Sequence, residues 1–139
     1  MIKFELNDFP LVTFDKLRYS DTDSQGHVNN AVFSTFLETG RVEILYNSGI
    51  PIAMEDSSFV IASLKLDFIH EIKWPGQIDI GTGITKIGNS SIVIFQMLFQ
   101  NEILTAKAET VIVQVNKKDG KSSALSQFAK DILSKWLLN

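Results

Sequence analysis

Between residues 31 and 46 the positions Val32, Phe33, Phe36, Leu37, Gly40, Ile44 and Leu45 recur every three or four residues, while Glu38, Arg41 and Glu43 fall largely elsewhere. That spacing follows the period of a helix and predicts about four turns over Ala31–Tyr46, with one face rich in large apolar side chains. Asn29 or Asn30 supplies a polar N-cap, and Asn47-Ser48-Gly49 followed by Pro51 a stop. From Phe59 to Ile72 the period changes to two: Val60, Ala62, Leu64, Leu66 and Phe68 alternate with Ile61, Ser63, Lys65, Asp67 and Ile69. This predicts a strand with one core face.

Trp74-Pro75-Gly76 then interrupts the chain, and Gln77–Ile87 reads as a second strand whose Gly81 and Gly83 suit bending or close backbone approach. Gly88-Asn89-Ser90 turns into Ser91–Gln100, and Asn101-Glu102 turns into Ile103–Val115, the clearest hairpin of the chain. After a loop at Asn116–Gly120, Phe128, Ile132, Leu133, Trp136 and Leu137 mark one face of a terminal helix. With Leu11–Tyr19 as an opening strand, the order is strand, long helix, four strands, helix. Short turns between successive strands imply antiparallel pairing, because a parallel pair needs a long crossover. The long apolar helix needs the sheet as its cover. The expectation is an α+β domain spanning residues 1–139, with a curved antiparallel sheet of about five strands around one central helix.

Composition narrows the classes of function. A chain of 139 residues, 45% hydrophobic and 21% charged, has the length for one domain with a real core. Its net charge of −3 and the absence of any basic block longer than Lys117-Lys118 argue against nucleic-acid binding. With no cysteine, disulfides, a thiol nucleophile and thiolate metal sites are excluded. Met1–Pro10 carries charges and does not resemble a signal peptide, and no apolar run approaches the length of a membrane span. A cytoplasmic protein without membrane contact is expected. The two histidines, His27 and His70, have no metal-ligand spacing, so neither a metal nor a cofactor is expected.

The densest chemistry lies ahead of the long helix, in "RYSDTDSQGHVNNAVFSTFLETGR", residues 18–41. A helix N-terminus offers unsatisfied N–H groups and the positive end of the helix dipole. Aimed at a carbonyl, those groups stabilise the charge that develops when it is attacked. Asp23 precedes Asn29 and Asn30 by six and seven residues across Gly26, so the loop can fold back and bring a carboxylate to the same carbonyl. No general acid is evident. Amides and alkyl esters usually need a proton delivered to the leaving group, whereas a thiolate leaves readily, so this arrangement suits a thioester.

These residues, together with "WPGQIDIGTGITKIGNSSIVI" downstream, resemble the acyl-CoA thioesterases of the 4-hydroxybenzoyl-CoA thioesterase type, in the hotdog-fold superfamily. The resemblance runs from about Leu11 to Val115, and the D-x-D-x-x-G-H-V-N-N segment is its most specific part. It implies a hotdog fold, with Asp23 as the catalytic carboxylate and the backbone N–H of Asn30 as a donor to the thioester oxygen. It implies also a homodimer or homotetramer that binds acyl-CoA between subunits. Gly26, His27, Val28 and Asn29 would contact substrate, and Ser90 and Ser91 would lie beside the CoA arm. Lys65 and Lys86 are candidates for its phosphates, set against the simpler role of solvated charges on a strand.

Other residues have simpler expected roles. Asp21 suits hydrogen bonding to loop backbone. His27 is either positional or a general base, and His70 a strand-end residue. Glu38 and Arg41 have the spacing of an i,i+3 ion pair. Gly-Asn-Ser-Ser at 88–91 lacks the pattern of a serine-nucleophile elbow. Acyl-pocket length would depend on Phe33, Phe36, Leu37, Tyr46 and Phe59. Two rivals stay open: a non-catalytic acyl-CoA or lipid-binding module, and an enoyl-CoA hydratase or dehydratase. The latter typically has a proline in this loop, which Gln25-Gly26-His27 lacks.

Overall fold

The computed structural model describes residues 4–47 and 49–139. Residues 1–3 of the Met1–Pro10 stretch and Ser48 of the expected helix stop lie outside them. The regular elements are β1 (Leu11–Lys16), α1 (Val32–Tyr46), β2 (Ser57–Phe68), β3 (Gln77–Ile87), β4 (Ser91–Gln100), β5 (Ile103–Asn116) and α2 (Gln127–Leu133). The strands form one antiparallel sheet in the order β1-β3-β4-β5-β2, and α1 packs against β1, β3 and β4. The β4–β5 hairpin turns on Asn101 and Glu102, whose φ angles of 51° and 68° match the right-handed twist of the strands they join.

The buried face of α1 divides into two apolar clusters with a polar belt between them. Phe33, Phe36 and Leu37 pack with Leu17, Ile72, Ile78, Ile80 and Leu98. A turn or two further on, Ile44 and Leu45 pack with Ile84, Ile92, Ile94, Ile112 and Leu133 of α2. Each such side chain contributes about 1.5–3 kcal/mol when fully buried. Between the clusters, Gln96 reaches up from β4 and donates to Leu37 O at 2.9 Å and to Thr82 Oγ1 at 3.0 Å. Gly40 makes that contact possible. A Cβ there would collide with Thr82 Oγ1 and lie 2.6 Å from Gln96 Nε2. On the opposite sheet face, Gly81 admits the Phe9 ring, which with Phe4 and Phe95 forms an aromatic cluster.

β2 departs from expectation. Its alternation predicts a core face, yet residues 60–65 are all exposed, including Val60, Ile61 and Leu64 at 42%, 50% and 38%. As the last strand of the sheet it pairs on one side with β5. Helix α1 meets it near its two ends, through the ring pairs Phe33–Phe68 and Tyr46–Phe59. The other side of this strand has no partner strand among the described residues. No helix among the described residues is long and apolar enough to cross a membrane.

Candidate functional site

The chain from β1 to α1 folds back on itself as the spacing of the motif requires. A bridge between Thr22 and Val28 closes a small hairpin, in which Asp23 N–H donates to His27 O at 2.8 Å. Gly26 turns its tip with φ of +81°, a conformation that costs other L-residues about 1–2 kcal/mol. Asp21 has the structural role expected of it: buried, its Oδ2 accepts from Arg18 N–H at 2.9 Å, and its carbonyl accepts from Asn29 N–H at 2.8 Å. The hairpin is tied to the segment after β2 by Val28 N–H to Ile72 O at 2.8 Å and by a bridge between His27 and Lys73.

Asp23 serves the loop with one oxygen and keeps the other. Its Oδ1 accepts from Gln25 N–H at 2.8 Å and His27 N–H at 3.2 Å, while Oδ2 has no hydrogen-bond partner among the described residues. Ahead of the helix, Asn29 Oδ1 accepts from Ala31 N–H at 3.0 Å in an Asx turn; the N-cap position itself is Ala31, which makes no side-chain cap bond, not Asn29 or Asn30 as expected. The amides of Val32 and Phe33 donate to the carbonyls of Asn29 and Asn30. From Gln25 to Phe33 every N–H has an acceptor among the described residues except that of Asn30. The free amide thus stands at the entry to α1, beside the positive end of its dipole.

Asp23, His27, Val28 and Asn30 line one cavity of about 270 Å³, together with Phe33, Phe68, Ile69, His70 and Glu71. The last four come from the end of β2 and beyond, some 40 residues along the chain in sequence, and spacing within the motif carries no signal for them. Glu71, which lies outside the motif, stands beside His27. Its Oε2 lies 2.9 Å from His27 Nε2, and its Oε1 3.3 Å from Lys73 Nζ. His70 also stands at the cavity, with Nδ1 2.8 Å from Glu71 O. Among the described residues no group of three His, Asp or Glu side chains could hold a metal ion.

Other candidates lie elsewhere in the chain. Lys65 lines a larger cavity on the sheet face that carries Phe95 and Met97. Lys86, Ser90 and Ser91 sit at the β3–β4 turn and do not line the Asp23 cavity. Of the expected acyl-pocket residues, Phe33 reaches that cavity and Phe36 and Leu37 are in the core. Tyr46 and Phe59 line a separate cavity of about 190 Å³ with Glu38 and Arg41. Glu38 and Arg41 do not form the expected ion pair. Glu38 is exposed, whereas Arg41 turns inward and is 5% exposed, with Nη1 lacking a partner among the described residues. Burial lowers the Arg41 pKa, against the opposing effect of the Glu38 charge.

Comparison with known proteins agrees with this fold. A sequence model described as the thioesterase-like superfamily matches residues 17–136. The chain is 27% identical over 128 residues to the acyl-CoA thioesterase YbgC of Helicobacter pylori, covering 86% of this chain and 96% of that one. Its fold is similar to that of the PA5185 protein of Pseudomonas aeruginosa, with a TM-score of 0.85, 23% identity and coverage of 97% and 96%. A thioesterase of Thermus thermophilus solved in complex with coenzyme A and Zn has the same fold, with a TM-score of 0.78, 24% identity and coverage of 91% and 92%.

Proposed function

We propose that this chain, which belongs to the thioesterase-like superfamily, hydrolyses acyl-CoA to a carboxylic acid and CoA, with Asp23 as the reacting carboxylate and Asn30 N–H as the oxyanion donor. The observation that carries the reading is that a carboxylate oxygen of Asp23 and the amide of Asn30, neither with a hydrogen-bond partner among the described residues, belong to residues lining a single cavity. A thioester carbonyl directed at Asn30 N–H gains most as its oxygen becomes an oxyanion, an effect worth about 2.7–4 kcal/mol for one such donor. Asp23 Oδ2 then takes a proton from water as the water oxygen bonds to the carbonyl carbon, or attacks that carbon itself. In both routes the C–S bond breaks and CoA leaves as a thiolate, for which a reference thiol pKa of about 8.5 makes a dedicated acid unnecessary. Attack by Asp23 leaves an acyl–aspartyl anhydride, which water hydrolyses at the Asp23 carboxyl carbon; a single turnover in ¹⁸O-labelled water then gives an unlabelled acid and a labelled Asp23, whereas the general-base route puts one ¹⁸O into the acid.

CoA as the carrier is supported by the name of the Helicobacter pylori relative and by the coenzyme in the Thermus thermophilus complex. A homodimer is supported by the exposed apolar edge of β2. In the single chain Asp23 and Asn30 face solvent, and an oxyanion site works best with water excluded. Antiparallel pairing of two β2 edges would set the start of one strand beside the end of the other. The partner's sheet end, with Ser90, Ser91 and Lys86, would then approach the Asp23 cavity, and the CoA arm would contact these residues across the interface. Lys65, on β2 itself, lies on the same edge. Release of free thiol from acyl-CoAs of graded chain length tests the reading: turnover of at least one supports it, and none across the panel contradicts it.

The His27–Glu71 pair favours a second reading, because hydratases use a histidine near a carboxylate. Hydration of an enoyl-CoA in preference to thiol release would support it.

A further inference from the structure

We infer that Glu71 is a positioning residue of this site, fixing the His27 imidazole through Nε2 so that Nδ1 serves the water that Asp23 activates. The inference rests on the thioesterase reading above and adds to it a residue outside the motif. The backbone of His27 is already clamped. Its N–H donates to Asp23 Oδ1 at 3.2 Å, its carbonyl accepts from Asp23 N–H at 2.8 Å, and it bridges to Lys73. Only the side-chain torsions of His27 remain free, and the 2.9 Å contact from Nε2 to Glu71 Oε2 holds the ring.

Glu71 is in turn held. Lys73 Nζ lies 3.3 Å from its second oxygen, and the Lys73 backbone is pinned by Gln100, which accepts from Lys73 N–H at 3.0 Å and donates to Lys73 O at 2.7 Å. An imidazole donating from Nε2 to a carboxylate has its lone pair on Nδ1 when neutral. That nitrogen has no partner among the described residues, and His27 lines the same cavity as Asp23 and Asn30. A water between the two residues has two protons to give. One transfers to Asp23 as the oxygen bonds to the thioester carbon, and the other stays on that oxygen, hydrogen-bonded to Nδ1, to become the hydroxyl of the acid. Nothing further is consumed, and the ring keeps its Nε2 proton throughout. Its contribution is orientation, of the kind that positioned groups make by holding reactants in a near-attack geometry.

The test uses Glu71→Leu, Glu71→Gln, His27→Ala and the double variant His27→Ala/Glu71→Leu, assayed for thiol release beside the wild type. Glu71 is 40% exposed in its side chain, so substitution leaves the fold intact. We expect Glu71→Leu to lower kcat about tenfold with KM little changed, and Glu71→Gln, which keeps an acceptor oxygen, to recover most of that loss. The double variant should be no slower than His27→Ala. In ¹⁵N-edited NMR the His27 Nε2 proton should be visible in the wild type and in Glu71→Gln and vanish in Glu71→Leu. Wild-type kcat in Glu71→Leu, a loss confined to KM, or losses that multiply in the double variant would overturn the inference. If the wild type releases no thiol from any acyl-CoA, the thioesterase reading falls instead, and the NMR arm still decides whether Glu71 holds His27.

Discussion

Gly40→Ala sets two physical effects of opposite sign against each other. In a helix interior alanine is favoured over glycine by about 0.5–1 kcal/mol, so helix propensity alone predicts a more stable protein. The environment of Gly40 predicts the reverse. The added Cβ would collide with Thr82 Oγ1 and come within 2.6 Å of Gln96 Nε2 and 3.0 Å of Ile80 Cγ2. These atoms are buried in the sheet and cannot swing into solvent. Either α1 lifts away or Gln96 is displaced, and the bond from Gln96 Nε2 to Leu37 O is lost. Overpacking costs about 1–3 kcal/mol, and leaving a buried amide unpaired about 1–3 kcal/mol more. After the propensity gain, the net destabilisation is about 3 kcal/mol. Urea unfolding at one fixed protein concentration, to hold any assembly constant, measures it as a fall in midpoint with m unchanged. At this chain length the same change lowers Tm by about 10 °C. A variant as stable as the wild type, or more so, would refute the close approach of α1 to β3 and β4.

Two further substitutions probe the interface and the helix start. Leu64→Lys places a charge in the middle of the exposed β2 edge and should leave the monomer folded while dissociating the oligomer and abolishing turnover; sedimentation and thiol release check both. Asn29→Ala removes the side-chain acceptor for Ala31 N–H and should cost about 1 kcal/mol in stability. It should also lower kcat more than it raises KM, because the Asx turn that leads Asn30 N–H into α1 is then less rigid.

Local periodicity was informative wherever a residue's neighbours in space are also its neighbours in sequence. The 3.6-residue spacing of Phe33, Phe36, Leu37, Ile44 and Leu45 corresponds to the buried face of α1, and Asn101-Glu102 to the turn of the tightest hairpin. Asp23 and Asn30 share a cavity because the loop between them is short and closes on Gly26. What the sequence did not carry is what depends on the third dimension. Alternation in β2 correctly indicated a strand, but whether its apolar positions meet a helix or an open edge depends on strand order. Arg41 has the spacing of a partner for Glu38, yet its position on the inner face of α1 turns it away. Glu71 reaches His27 through the pairing of the motif loop with the segment after β2, across a separation on which no local pattern bears.

The proposed role of Asp23 as the reacting carboxylate is tested by Asp23→Asn. Asparagine keeps an oxygen to accept from Gln25 and His27 N–H, so the hairpin persists while the negative charge is removed. Thiol release from the best acyl-CoA substrate is expected to fall by about 10²–10⁴-fold, with melting temperature and oligomeric state unchanged. Hydrolysis by Asp23→Asn at the wild-type rate would contradict it.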